Sequence, residues 1–479
     1  MDGLMVRATG WHYEVMHYTP ENLAAASGGR LVHAATREIV GVFIDTRAPL
    51  AGGLFVPIVA ERDGHAFIGD AIRAGASAVL VGRGHTVPDG DVTVVEVDDT
   101  LVALQRLGAA RRRAVQGPVV AVSGSNGKTT TRAMIAAVLG TSYPRLLRTR
   151  GNLNNHLGVP LTLLGEPERP EAMVIELGMS APGENDLLAT LVSPTALVIT
   201  SIALEHLEFM KTIEAIAAAE AEPIAHVRDG GIIVVPSDEP LLVRHLPRDG
   251  RCRVWRVGPD EDADVWLMEV TQGATTRARM ATAVHGEFEL ELGLFGLHNA
   301  RNAAAAIAVG TALGLPLDDM LAALAAVEPV GDRGRTIAYG EHLIVADCYN
   351  ANPGSVGAAL LSLAAVDDGR RRIAVLGDML ELGPDELALH AAVGEACADA
   401  GVDALVAFGP RSRESARTAA ARGVEVLATE DIEAAARWVA AQLHQPAVVL
   451  IKGSRGMKLE RLVADLVRPA APQSSRAPQ

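Results

Sequence analysis

Lysine is nearly missing from this chain: four of its 43 basic residues are lysine, and the rest are arginine. Cysteine is scarcer still. Cys252, Cys348 and Cys397 are odd in number and far apart, which excludes a disulfide framework and a cysteine-rich metal centre. Aromatics supply 3% of residues against a hydrophobic fraction of 49%, so the cores must be built from Ala, Val, Leu and Ile. A net charge of −15 argues against a general nucleic-acid or anionic-membrane surface, although a local phosphate site needs only a few arranged donors. No apolar run approaches the length of a membrane span, and the opening MDGLMVRATGWHYEVMHY holds no apolar signal core. A cytoplasmic location is expected.

What is present is an alternation of short apolar strands and Ala-rich helical stretches, the pattern of an α/β protein, and 479 residues suit about three domains. We expect a small α/β N-terminal domain over residues 18–116, with the break at Gln116-Gly117-Pro118. A central domain over 117–329 carries buried strands joined by helices, hence a doubly wound parallel sheet of the P-loop type. Between Cys252 and Phe295 the runs DVWLMEV, TRARMATAV and EFELELGLF alternate, which predicts an antiparallel patch. A third, Rossmann-like α/β domain is expected over 330–468, with strands in HLIVADCYN, RRRIAVLGD, DALVAFG and AVVLIKGS. The end, 469–479, is Pro, Ser and Ala without period and is expected to be disordered.

The chemistry-bearing feature is PVVAVSGSNGKTTTR over 118–132. An apolar strand runs into Gly124-Ser125-Asn126-Gly127, and a helix opens near Lys128-Thr129-Thr130. Such a turn aims backbone N–H groups and a helix N-terminus at one point, which suits a polyphosphate. Lys128 adds a point charge, and the Thr129 hydroxyl is placed to hold magnesium. In a chain that has exchanged lysine for arginine almost everywhere else, a lysine here answers a chemical demand. Full Walker spacing would need glycine at Val122, so this is the shorter Gly-Ser-Asn-Gly-Lys-Thr form.

Glu176 ends the strand AMVIELG, and Glu205-His206 follows ALVITSI. A carboxylate at such a strand end can hold magnesium, and an imidazole a second ion. Asn299 and Asn302, in HNARN, share a helix face and can read a nucleobase edge or cap the helix. Asp347, Tyr349, Asn350 and Asn352 end a strand in a polar turn, suited to a ribose or to an Asx turn stopped by Pro353. Lys452-Gly-Ser454-Arg455 spends another scarce lysine at a strand end, which favours anion binding over a solvated turn.

Taken together, these residues resemble the Mur ligase family. GSNGKTT, Glu176, Glu205-His206 and HNARN match its general signature. GNLNNHLGVPLTLL (151–164), IELGMSAPGE (175–184), DCYNANPGS (347–355), AVLGDMLELG (374–383), KGSRG (452–456) and IDTRAPLAGGLFVPIVAERDGHAF (44–67) match longer stretches. The resemblance implies an ATP-dependent, magnesium-requiring amide ligase of peptidoglycan precursor synthesis that works through an acyl phosphate. It implies that Thr46 and Arg47 hold the UDP end of a UDP-muramoyl peptide, and that Asn154, Asn350, Asn352, Lys452, Ser454 and Arg455 contact substrates. Asn299, Asn302, Arg333, Asp347 and Tyr349 join the turn around ATP, and Thr129, Glu176, His206 and Glu220 hold metal. The longer motifs imply D-Ala-D-Ala as the incoming amine, small-molecule partners only and a monomer.

One departure stands out. Where the family carries a carbamylated lysine, this chain has Glu220, in IAAAEAE, followed by Pro223. A carbamylated lysine is a carboxylate on a long stem, and glutamate supplies that carboxylate permanently on a shorter one. Two further readings stay open at this point: a paralogue joining a different amine, and a weakly catalytic nucleotide-binding relative.

Overall fold

A computed structural model describes residues 17–167, 169–205 and 207–467. Its architecture is α/β, organised around three large sheets. The expected disorder of 469–479 lies outside the described residues, as does His206.

The central sheet has nine strands. Val119–Ser123, which leads into the phosphate turn, lies between Ala172–Glu176 and Ala196–Ile199 and is parallel to both. Its residues alternate between two cores. Val120 and Val122 face the layer containing Met134, Ile135 and the helix His298–Ala312, while Val119 and Ala121 face the layer containing Ile216 and Ala217. All four strand residues are fully buried, as expected for a parallel strand covered on both faces. The helix His298–Ala312 is buried nearly all round, and its alanines allow close approach to the turn helix Lys128–Gly140.

The antiparallel patch starts one strand later than the sequence pattern suggests. Arg253–Gly258 pairs in parallel with Ile232–Pro236, and only Val265–Gln272, Thr276–Thr282 and Gly286–Leu292 form antiparallel ladders. Alternation of residue type reports a face that is not fully covered, and Arg253–Gly258 has one whatever its direction, with Trp255 and Val257 buried and Val254 and Arg256 half-buried. The exposed rim carries Glu269, Arg277, Arg279, Glu287 and Glu291 in cross-strand ion pairs, which discourages edge-to-edge pairing.

The N-terminal sheet runs Arg30–His33, Thr93–Val97, Ala78–Gly82, Leu54–Phe55, Val42–Phe43, and only its first pair is antiparallel. The helix Thr100–Ala114 ties it to the central sheet. Arg112 there is buried and donates to the carbonyls of Val115 (3.1 Å), Ser193 (2.8 Å) and Val192, so its charge is spent on carbonyls left free where another helix ends. The C-terminal sheet has six strands, with His342–Asp347 and Ala447–Lys452 side by side and Asp347 opposite Lys452. Two of its strands, Arg335–Tyr339 and Glu425–Thr429, escape the sequence reading. Both are edge strands, and neither contains a fully buried residue.

Candidate active site

The turn closes as its glycines require. Gly124 and Gly127 have φ of 114° and 86°, a region that costs any side chain. A Cβ on Gly124 would meet Thr200 Oγ1 at 2.4 Å, and one on Gly127 would meet Asn302 Oδ1 at 2.7 Å. Neighbouring backbone pins the loop: Ser125 N donates to Ser201 O (2.8 Å) and Asn126 N to Ser201 Oγ (3.0 Å).

Lys128 folds back over its own turn. Its Nζ donates to the carbonyls of Gly124 and Ser125 (3.1 Å) and lies 4.0 Å from both Glu205 Oε1 and Glu220 Oε1. Burial alone would lower the ammonium's pKa, but the carboxylates of Glu205, Glu220 and Glu176 together outweigh it and hold the pKa above its ordinary value. Thr129 is buried, and Thr130 is half-buried beside it.

Glu220 is 1% exposed on the helix Ile213–Ala221, which Pro223 follows as a short 3₁₀ turn begins. Its Oε2 accepts from Gly124 N (2.7 Å), Asn185 Nδ2 (3.1 Å) and the Ser123 hydroxyl. One oxygen therefore buttresses the base of the turn, and the other faces Lys128. Glu205 faces it too. Burial, with Lys128 opposing and Glu220 adding, pushes the Glu205 carboxyl up to about 8, so at neutral pH it is protonated and hydrogen-bonded to Glu220. Glu205 Oε1 is buried without a hydrogen-bond partner.

Glu176 stands on the other side. Its Oε1 accepts from Asn154 Nδ2 (2.9 Å) and Thr129 Oγ1 (3.2 Å), and its Oε2 makes an ion pair with Arg132 (3.3 Å). Hard oxygens from Thr129, Glu176, Glu205 and Glu220, two of them without hydrogen bonds, suit magnesium. Among the described residues, the group that brings three His, Asp or Glu ligand atoms within 4.8 Å of one another is a different one, Asp63, His65 and His85. There His65 Nε2 accepts from Gly82 N (2.8 Å), so its Nδ1 carries the proton shared with Asp63 and offers no lone pair.

The remaining expected residues divide into those that gather at the turn and those that do not. Asn302 donates to Asn299 Oδ1 (3.0 Å), and Asn299 to Phe295 O (2.9 Å), an amide chain lying against Gly127. Arg333 stacks 3.6 Å over the Tyr349 ring, and its charge acts on both Lys128 and Arg132. Asn350, Asn352, Ser454 and Arg455 line a cleft with Glu205 and Leu380. Lys452 is buried against Asp347 (2.7 Å) and Asn350 O (3.0 Å), so these two expected contacts hold each other. Thr46 and Arg47 lie apart, beyond the strand Val42–Phe43, where Arg47 is paired with Asp45 (2.7 Å).

Sequence reasoning passed over Arg132, Asn185 and Leu380, and read Glu205 only as a strand-end carboxylate. Arg132 and Asn185 sit on helices where nothing local marks them. Glu205 carried a signal: it borders the same strand end as His206.

The Mur ligase middle domain matches residues 122–310, and the Mur ligase glutamate ligase domain matches residues 332–455. The UDP-N-acetylmuramoyl-tripeptide–D-alanyl-D-alanine ligase of Bacillus subtilis (strain 168) is 37% identical over 458 residues, covering 94% of this chain and 98% of its own. The chain belongs to the Mur ligase family. The enzyme of the same name from Escherichia coli (strain K12) is 35% identical, covering 89% of this chain and 93% of its own. Among solved structures, a crystal structure of MurF from Acinetobacter baumannii superposes with a TM-score of 0.86 at 30% identity, covering 95% of this chain and 99% of that one. MurF from Thermotoga maritima in complex with ADP superposes with a TM-score of 0.80 at 27% identity, covering 89% and 96%. As a Mur ligase, this protein is an ATP-dependent, ADP-forming amide ligase.

Proposed function

We propose that the chain joins D-Ala-D-Ala to a UDP-N-acetylmuramoyl-tripeptide in peptidoglycan precursor synthesis, as a monomer in the cytoplasm. The observation that carries this is the near full-length likeness to ligases of that name, 37% identical over 94% of the chain. Residues 18–116 hold the UDP end through Thr46 and Arg47, 117–329 bind ATP, and 330–468 close over it. Among the described residues no helix is long and apolar enough to cross a membrane, which agrees with small diffusible substrates.

The turn from Gly124 to Thr130 receives the phosphates, with Lys128 swinging from its own carbonyls onto the transferred group, where its charge favours the transition state. Asn299, Asn302, Arg333, Asp347 and Tyr349 surround the base and ribose. Thr129, Glu176, His206 and Glu220, with Glu205 beside them, would hold magnesium, which neutralises phosphate charge when bound. The substrate carboxylate takes the γ-phosphoryl group to give an acyl phosphate and ADP. The amine then attacks the acyl carbon, and phosphate leaves from the tetrahedral intermediate. Asn154, Asn350, Lys452, Ser454 and Arg455 shape the space for the two reactants. No protein nucleophile is required, because positioning and charge neutralisation carry the reaction.

Phosphate release measured with the tripeptide nucleotide, ATP and D-Ala-D-Ala tests the reading. Turnover that appears only with other amines, or ATP binding without turnover, would refute it.

A further inference from the structure

Asn126 and Asn352 are 226 positions apart, yet their side-chain amides bond reciprocally. Asn352 Nδ2 donates to Asn126 Oδ1 (2.9 Å), and Asn126 Nδ2 donates to Asn352 Oδ1 (3.3 Å). Each residue is fixed to its own unit by other bonds. The Asn126 backbone is held by Thr200 and Ser201 within the phosphate turn. Asn352 caps the helix Pro353–Ala364, accepting from Ser355 N (2.8 Å) and donating its own N–H to Ser355 Oγ (3.0 Å). The helix start approaches closely: a Cβ on Gly354 would lie 2.9 Å from Ala203 Cβ and 3.4 Å from Asn126 Nδ2. Asn352 is 5% exposed, so its amide has little access to solvent.

We propose that this amide pair is a clasp through which closure of the C-terminal unit sets the phosphate turn, and that Asn352 is a positioning residue acting through Asn126. It rests on the reading that the turn holds ATP. The amide is the group suited to this work, since each side chain gives and takes one bond and no charge enters beside Lys128. When the C-terminal unit swings away, both bonds break together. When it returns, the side chain at the middle of the turn is held from outside as well as from below.

Asn352→Asp separates this role from helix capping. Aspartate caps as well as asparagine, so the helix stays. The donor becomes an acceptor facing Asn126 Oδ1, so the shorter bond gives way to repulsion between oxygens and the reciprocal pair is broken. Asn352→Ser also caps and is too short to reach, which guards against a misfolded first variant. For both we expect a thermal midpoint within about 3 °C of wild type. We also expect unchanged ATP affinity without the other substrates, and kcat lowered about tenfold with KM for the amine unmoved. Asn126→Ala combined with Asn352→Asp should fall no further than the worse single variant. In small-angle scattering with a non-hydrolysable ATP analogue and the acceptor nucleotide, both Asn352 variants should have larger dimensions than wild type. Wild-type kcat and dimensions in both variants would overturn the clasp. So would effects that multiply in the double variant, or a loss confined to KM for the amine, which would place Asn352 on substrate. If the enzyme instead uses another amine, the scattering and ATP-binding arms still test the clasp by themselves.

Discussion

Replacing Glu220 with glutamine should be milder than its position suggests, because Glu205 can take over its charge. Lys128 has two carboxylate oxygens at 4.0 Å, and burial, with the Glu220 charge adding to it, favours the protonated form of Glu205. Glu220→Gln keeps an oxygen for Gly124 N and Ser123 but removes the charge that helps hold the Glu205 proton in place. With that charge gone Glu205 ionises more readily, against the burial that still favours its protonated form, and supplies Lys128 with an adjacent negative charge. The remaining loss is that of a charge-assisted hydrogen bond weakened to a neutral one, about 1–2 kcal/mol. Glu205→Gln removes a group that is already neutral and should cost less than about 1 kcal/mol. The double variant strands a buried ammonium whose nearest carboxylates are gone, at about 3–5 kcal/mol. Its excess over the sum of the singles measures the sharing. The chain has three sheets and will not unfold in one step, so the readout should be local. Hydrogen exchange of a peptide covering 119–140, in metal-free buffer at pH 7, reports opening of the turn and its helix. Singles that add to the double value, or a Glu220→Gln variant as damaged as the double, would refute the argument.

Three further outcomes follow from the same site. Folded-state stability attributable to Glu205 should decline as pH rises from about 4.5 to about 8, because the folded carboxyl keeps a proton that the unfolded one releases; hydrogen-exchange protection of the same 119–140 peptide, corrected for the intrinsic pH dependence of exchange, should show the slope, and Glu205→Gln should flatten it. Lys128→Ala should abolish phosphate release with the fold intact by circular dichroism, and a variant retaining roughly a tenth of the wild-type rate would remove the turn as the ATP site. Glu220 is a permanent carboxylate, so turnover should not change when dissolved carbon dioxide and bicarbonate are stripped from the assay, and a bicarbonate requirement would place a carbamate elsewhere.

The phosphate turn, its strand and its helix were readable from sequence because every interaction that shapes them is local. Two glycines permit positive φ, four apolar residues fill a strand buried on both faces, and Lys128 follows within one turn of helix. Glu176 and Glu205 were readable as neighbours of that turn for a topological reason: parallel strands flanking the turn strand end at the same sheet edge. The direction of the strand Arg253–Gly258 was not readable, since alternation records exposure and not polarity.

What each side chain does at the site was decided by contacts between distant segments. The scarce lysine at 452 was read as an anion ligand, and only sheet order reveals that Asp347 stands opposite it, where the buried ammonium takes that carboxylate. Glu220 was read as a carboxylate short of its target, and only packing shows it reaching Gly124 and Ser123 from below while facing Lys128. Asn126 and Asn352 were read as two separate ligand contacts, and only the fold shows them bonded to each other at 2.9 Å. Sequence alone thus determined the family, the α/β class and the residue types of the site. Tertiary structure decided their pairings, because a buried polar group binds whichever partner the chain brings within reach, and spacing along the sequence does not encode that distance.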